Sequence, residues 1–119
     1  MAPTTLIGQN SSTTPGGRDY ARDGAPIDLS EMLALTKGSV YIERTTVNSP
    51  ANIRKTKRAI TRAFKIQMAG LGFSLVEVLS PCPTNWKMNT VDSCKWIEET
   101  ITKTYPLKVI KDTVGDKIQ

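Results

Sequence analysis

An α/β fold, in which helices flank a partial parallel sheet, is what this sequence predicts, and three observations predict it. Ser39-Val40-Tyr41-Ile42-Glu43-Arg44 and Phe73-Ser74-Leu75-Val76-Glu77-Val78-Leu79 read as strands, rich in β-branched and aromatic residues. Between them, apolar residues recur near helical spacing from Ser49 to about Ala69. Strand, long helix and strand form a βαβ unit, whose strands run parallel through a right-handed crossover.

From Met1 to Pro26 the chain is dominated by Thr, Ser, Gly, Pro and Asn, with turn pairs such as Pro15-Gly16 and no apolar period. It is expected to be irregular, and a loop this long serves a site or packs on a neighbour. Asp28 caps a short helix with Leu29, Met32, Leu33 and Leu35 on one side, and Gly38 supplies the stop. Ser49 before Pro50 is an N-cap with proline at the first helical position. On the helix it opens, Ile53, Ile60, Ala63, Phe64 and Leu71 oppose Arg54, Lys55, Arg58, Arg62 and Lys65. The second strand ends at Ser80-Pro81-Cys82-Pro83. Thr90 is read as the cap of a last helix that carries Val91, Cys94, Ile97 and Ile101 on one face, with Pro106 just past its end. The tail from Leu107 has room for one short strand.

Two parallel strands do not make a stable sheet alone, so the segment is expected to be part of a larger one. The chain thus reads as a single partial domain: a loop over residues 1–26, an αβαβα unit over 27–105 and a tail over 106–119.

Composition bounds the rest. The 119 residues are 39% hydrophobic and 23% charged, ordinary for a globular chain that buries ~65% of its unfolded surface. No apolar stretch is long enough for a bilayer and no secretory signal is recognisable, so a cytoplasmic protein without membrane contact is expected. Histidine is absent, which excludes histidine-based nucleophilic systems, general bases and zinc sites within the chain. The net charge of +5 has a local origin: six Lys and Arg lie between Pro50 and Ala69 with no acid, and the rest of the chain has ten basic against eleven acidic residues. A solvated outer face is the default reading of that helix; docking of an acidic ferredoxin or of a partner subunit is the sharper one. Nucleic acid is disfavoured because no aromatic residues interleave the charges.

Ligands in open α/β sheets gather outside the carboxyl ends of the strands, which is where Cys82 falls. From spacing alone it is a small buried apolar residue, a metal ligand or a redox thiol. Cys94 sits on a helix face and reads as core. Two cysteines without a signal more often stay reduced than pair.

Val78-Leu79-Ser80-Pro81-Cys82-Pro83-Thr84-Asn85-Trp86, with Val47-Asn48-Ser49-Pro50-Ala51-Asn52-Ile53 and Met1-Ala2-Pro3-Thr4-Thr5, resembles the C-terminal part of the beta, thiamine-diphosphate-binding subunit of 2-oxoacid:ferredoxin oxidoreductases. The three motifs occur in the family's order and approximate spacing, and the likeness leans to the 2-oxoisovalerate or 2-oxoglutarate type. It implies a thiamine-diphosphate domain, with Mg2+ and a 4Fe-4S cluster in the complete enzyme. The implied reaction decarboxylates a 2-oxoacid with coenzyme A (CoA) and reduces ferredoxin, alongside other subunits. The resemblance makes Cys82 the fourth cluster ligand and sets Thr4 and Thr5 close to the thiamine cofactor, although turn-forming threonines are an equal reading. It also implies that Met1 matches an internal methionine and that the diphosphate motif and three further cluster cysteines lie upstream. Arg22-Asp23-Gly24 is not counted as that motif. By itself the chain is then expected to be inactive, and a noncatalytic assembly fragment is the alternative. Trp86 and Trp96 are read as packing anchors at a subunit contact.

Overall fold

The computed structural model describes residues 5–117. After a helical turn, α1 (Tyr20–Asp23), come α2 (Leu29–Ala34), β1 (Ser39–Thr46), α3 (Pro50–Met68) and β2 (Phe73–Leu79). A second turn, α4 (Pro83–Trp86), leads to α5 (Thr90–Trp96), which runs through a π turn (Ile97–Ile101) into α6 (Thr102–Thr104), and β3 (Lys108–Asp112) follows.

The sheet order is β2-β1-β3. β1 and β2 are parallel, with Ile42 opposite Leu75 and Arg44 opposite Glu77, as the βαβ pattern requires. β3 departs from the expected parallel sheet, because it pairs antiparallel with β1 and makes the sheet mixed. The cause lies in the last helix: Ile97, Ile101 and Tyr105 pack on Leu79 at the carboxyl end of β2. The chain therefore enters β3 from that end and must run back along β1.

Two caps form as expected. Ser49 Oγ accepts the Asn52 N–H at 3.3 Å, and Asp28 Oδ1 accepts that of Glu31 at 3.0 Å. The third is shifted, since Asn89 Oδ1 accepts the Asp92 N–H at 2.8 Å and Thr90 is the first helical residue. Gly72 has φ +139°, and a Cβ there would meet the Val40 side chain at 2.7 Å, so the close approach of the chain entering β2 to the start of β1 needs glycine.

On one face of the sheet, α3 buries Thr56, Ala59 and Ile66, and Ile66 clusters with Tyr41 and Val114. This corrects the expected core stripe, because Ile53, Ile60, Phe64 and Leu71 are exposed. Arg62 is corrected too: Nη2 reaches Asp112 Oδ2 at 2.7 Å and the Gly115 carbonyl at 2.6 Å, and the guanidinium lies over the Tyr41 ring at 5.4 Å. It ties the helix to the end of β3, unlike the exposed Arg54, Lys55, Arg58 and Lys65.

The opposite face carries α2 and the last helix. Here α2 buries Ser30, while Leu29, Met32 and Leu35 stay exposed, against expectation. Arg44, with no exposed side-chain surface, donates from Nε to Glu77 Oε2 at 2.7 Å and pairs through Nη2 with Asp28. Ser30 donates to the same Glu77 oxygen. Val91 is exposed and Cys94 only half-buried, so the last helix seats its apolar face from Ile97 onward.

Asp112 accepts the Val114 and Gly115 N–H groups at 3.0 Å each, besides Arg62. Burial pushes its carboxyl up, but the Gly115 and Val114 amides and Arg62 outweigh this and hold it below the ordinary 3.8. A depressed carboxyl stabilises the fold fully above its unfolded value and loses that contribution as pH falls through the folded one. Asp112→Asn is expected to cost about 1–2 kcal/mol near neutral pH and to flatten the acid limb of stability. Urea unfolding between about pH 2 and 7 checks this; an acid limb identical to the parent's would contradict it.

Candidate functional site

The loop before α2, irregular in composition, is built around one cation. Arg18 is 6% exposed. Its Nη1 donates to the Thr5 carbonyl at 3.1 Å, Nε to that of Gly24 at 3.0 Å, and Nη2 to those of Ala25 and Asp23 at 3.0 and 3.3 Å. Burying a guanidinium is costly without such acceptors, and supplying them wraps the loop around it. Beside it, Arg22 and the Asp19 N–H pull the Asp23 carboxyl down to about 2.

The wrapped loop is stapled to the segment after β2. Asn85 accepts the Ser12 N–H at its carbonyl, at 3.0 Å, and at Oδ1, at 3.2 Å, and the Ser12 hydroxyl also donates to Oδ1. The end of β2 is held as well, since the Leu79 carbonyl accepts from Thr46 Oγ1 at 2.8 Å and from the Val47 N–H at 3.3 Å. Pro83 starts the α4 turn with its φ preset, the Trp86 N–H returns to the Cys82 carbonyl at 3.0 Å, and Lys87 leaves the turn at φ +55°. These bonds fix the backbone of Cys82 while its residue stays exposed. The buried-apolar reading of this cysteine is thereby corrected: two flanking prolines and a four-residue turn hold it at the surface.

Thr5, Glu77 and Cys82 line one cavity of about 380 Å³ at the carboxyl end of β2, with Gln9, Ser80 and Asn85 as further polar walls and Leu79, Trp86 and Ile101 as apolar ones. Of the residues singled out in the sequence, Thr5 and Cys82 are brought together; Thr4 lies outside the described residues. Glu77, Gln9 and Arg18 were not anticipated as site residues. The signal for Glu77 was present, because an acid in the apolar run Phe73–Leu79 demands a buried partner, and Arg44 stands opposite it.

A thiolate in this cavity is a soft donor suited to iron. Among the described residues no group of three or more His, Cys, Asp or Glu is placed to hold a metal ion. Cys94, half-buried on α5, is not part of the cavity wall, and neither cysteine is in a disulfide. The chain therefore offers one thiolate there and does not by itself fit an iron–sulfur cluster. Trp86 and Trp96 pack on the Leu79, Ile97, Ile101 and Tyr105 cluster within the chain. No helix among the described residues is long and apolar enough to cross a membrane. Under native conditions an alkylating reagent is expected to modify Cys82 at least about tenfold faster than Cys94, because exposure controls access to the thiolate. Peptide mapping over time reads this out, and equal rates would contradict the placement of Cys82.

No family model matches the chain, and no solved structure does. Curated proteins do match. Subunit VorA of ketoisovalerate oxidoreductase from Methanothermobacter marburgensis is 44% identical over 112 residues, which cover 94% of this chain and 23% of that protein. The subunit of the same name from Methanothermobacter thermautotrophicus is 42% identical, with 94% and 24% covered. Subunit KorB of 2-oxoglutarate synthase from Archaeoglobus fulgidus is 32% identical over 103 residues, 87% of this chain and 34% of that protein. The chain thus spans about a quarter of the length of its ketoisovalerate relatives. With 42–44% identity along nearly all of its length, the chain is similar to a segment that makes up about a quarter of these ketoisovalerate oxidoreductase subunits.

Proposed function

We propose that this chain forms the cluster-side end of the beta, thiamine-diphosphate-binding subunit of an oxidoreductase acting on a branched 2-oxoacid, 2-oxoisovalerate (ketoisovalerate), or on 2-oxoglutarate. The reaction consumes coenzyme A, yields an acyl-CoA and reduces ferredoxin. The observation that carries the reading is the exposed Cys82 held at the carboxyl end of β2, in one cavity with Thr5 and Glu77. The names of its relatives, ketoisovalerate oxidoreductase and 2-oxoglutarate synthase, supply the substrate class.

In the complete enzyme, thiamine diphosphate with Mg2+ supplies carbanion stabilisation and a 4Fe-4S cluster carries single electrons. The work of this chain is positional. Cys82 would give one thiolate, kept in place by the bond from Trp86 to its carbonyl, and three more would have to come from another stretch of polypeptide, since Cys94 is not part of the cavity wall. Thr5, its carbonyl held by Arg18, offers a hydroxyl for substrate or diphosphate oxygens. Leu79, Trp86 and Ile101 give the cavity an apolar side, which would tune the potential of a cluster held there.

The test is a chimera of M. marburgensis VorA in which this chain replaces its matched segment, assembled with its partner subunits. Cys82→Ser is expected to remove the iron of one cluster and to lower ketoisovalerate-dependent reduction of ferredoxin by on the order of 100-fold. Cys94→Ser should retain both. Full iron and full turnover in the Cys82 variant would overturn the assignment in favour of a noncatalytic assembly segment.

A further inference from the structure

β2 is an edge strand: the order β2-β1-β3 leaves its outer side without a partner strand among the described residues. The Phe73 N–H donates to the Gly38 carbonyl at 2.9 Å, and the Leu79 carbonyl accepts from Val47 at 3.3 Å. Odd-numbered residues of β2 thus turn their backbone to β1, and by the two-residue alternation Ser74, Val76 and Val78 turn theirs outward.

Above this open edge, α3 presents apolar side chains where a lone domain would place charge. Phe64 is 66% exposed and Ile60 39% exposed, and with Ala63, Gln67, Ser74 and Val76 they line a groove of about 370 Å³ along β2. An edge that is neither charged nor covered is a template for strand addition.

We infer that this edge and its groove receive an extended, apolar-faced strand from the polypeptide that makes up the remaining three quarters of the ketoisovalerate relatives, whether joined to this chain or separate. The family reading enters only through the identity of that partner. A second copy of this chain is the poorer occupant. Antiparallel pairing of two β2 edges would set two α3 helices side by side, each with Arg54, Lys57, Arg58 and Lys65 exposed and no acid from Pro50 to Met68.

Amide hydrogen exchange on the full chain alone and on the VorA chimera tests this. In the chimera the Ser74, Val76 and Val78 amides are expected to exchange on the order of 100-fold more slowly than in the isolated chain, while Leu75, bonded to β1, is protected in both. Phe64→Glu should erase the gain in the chimera and leave the isolated chain folded by circular dichroism. Unchanged exchange in the chimera, or a chimera that fails to fold where VorA folds, overturns the inference. So does concentration-dependent protection of the isolated chain as a dimer, which would assign the edge to a second copy. Cys82→Ser should not alter the exchange pattern, so loss of the cluster-ligand reading and loss of this one are seen separately.

Discussion

Arg44 is a guanidinium buried at the carboxyl half of the central strand, and its partners come from three directions. Glu77 meets it from the neighbouring parallel strand and Asp28 from the cap of α2, while Tyr105, from the end of the last helix, lies under its plane at 5.1 Å. Burial alone would lower the basicity of Arg44, yet Glu77 and Asp28 reverse this and keep it charged. Burial also raises the Tyr105 phenol, with Asp28 and Glu77 adding to the effect. A buried ion pair brings little net stability over a hydrophobic replacement, but losing one partner leaves a charge stranded. Its consequence is therefore geometric. Strands, α2 and the last helix are held in one arrangement, with Glu77 fixed in the wall of the cavity that Cys82 shares.

The same geometry explains the surplus of exposed apolar surface. A three-stranded sheet in a chain of this length cannot bury Leu35 and Phe64, nor Met32 and Met68, all of which lie open. Such residues in a self-sufficient domain would be polar. Their presence agrees with a chain that corresponds to about a quarter of its ketoisovalerate relatives. The cavity with Cys82 and the edge of β2, which has no partner strand among the described residues, lie in the same small fold.

Local rules were legible where one residue decides one bond. Ser49 before Pro50 and Asp28 before Leu29 marked helix starts, and Ser80-Pro81-Cys82-Pro83 marked the end of β2. Tertiary choices were not. Periodicity proposed Ile53, Ile60 and Phe64 as the buried side of α3, but the sheet took the neighbouring stripe of Thr56, Ala59 and Ile66. Likewise Ser30 is the fully buried residue of α2 and its hydroxyl donates to Glu77, while Leu29, Met32 and Leu35 stay exposed. Of the site, Cys82 and Thr5 were visible through motifs. Arg18 was not, since its partners are carbonyls, which every residue has and no side-chain pattern betrays.

The most direct test of the central constraint is a double-mutant cycle on the isolated chain with Arg44→Met, Glu77→Leu and both, read by urea unfolding at neutral pH. Arg44→Met alone is expected to cost about 3–5 kcal/mol, and the double variant should be more stable than the sum of the single losses by about 2 kcal/mol. Additive losses would show that the two side chains do not depend on each other, and the account of how the cavity wall is held would fail.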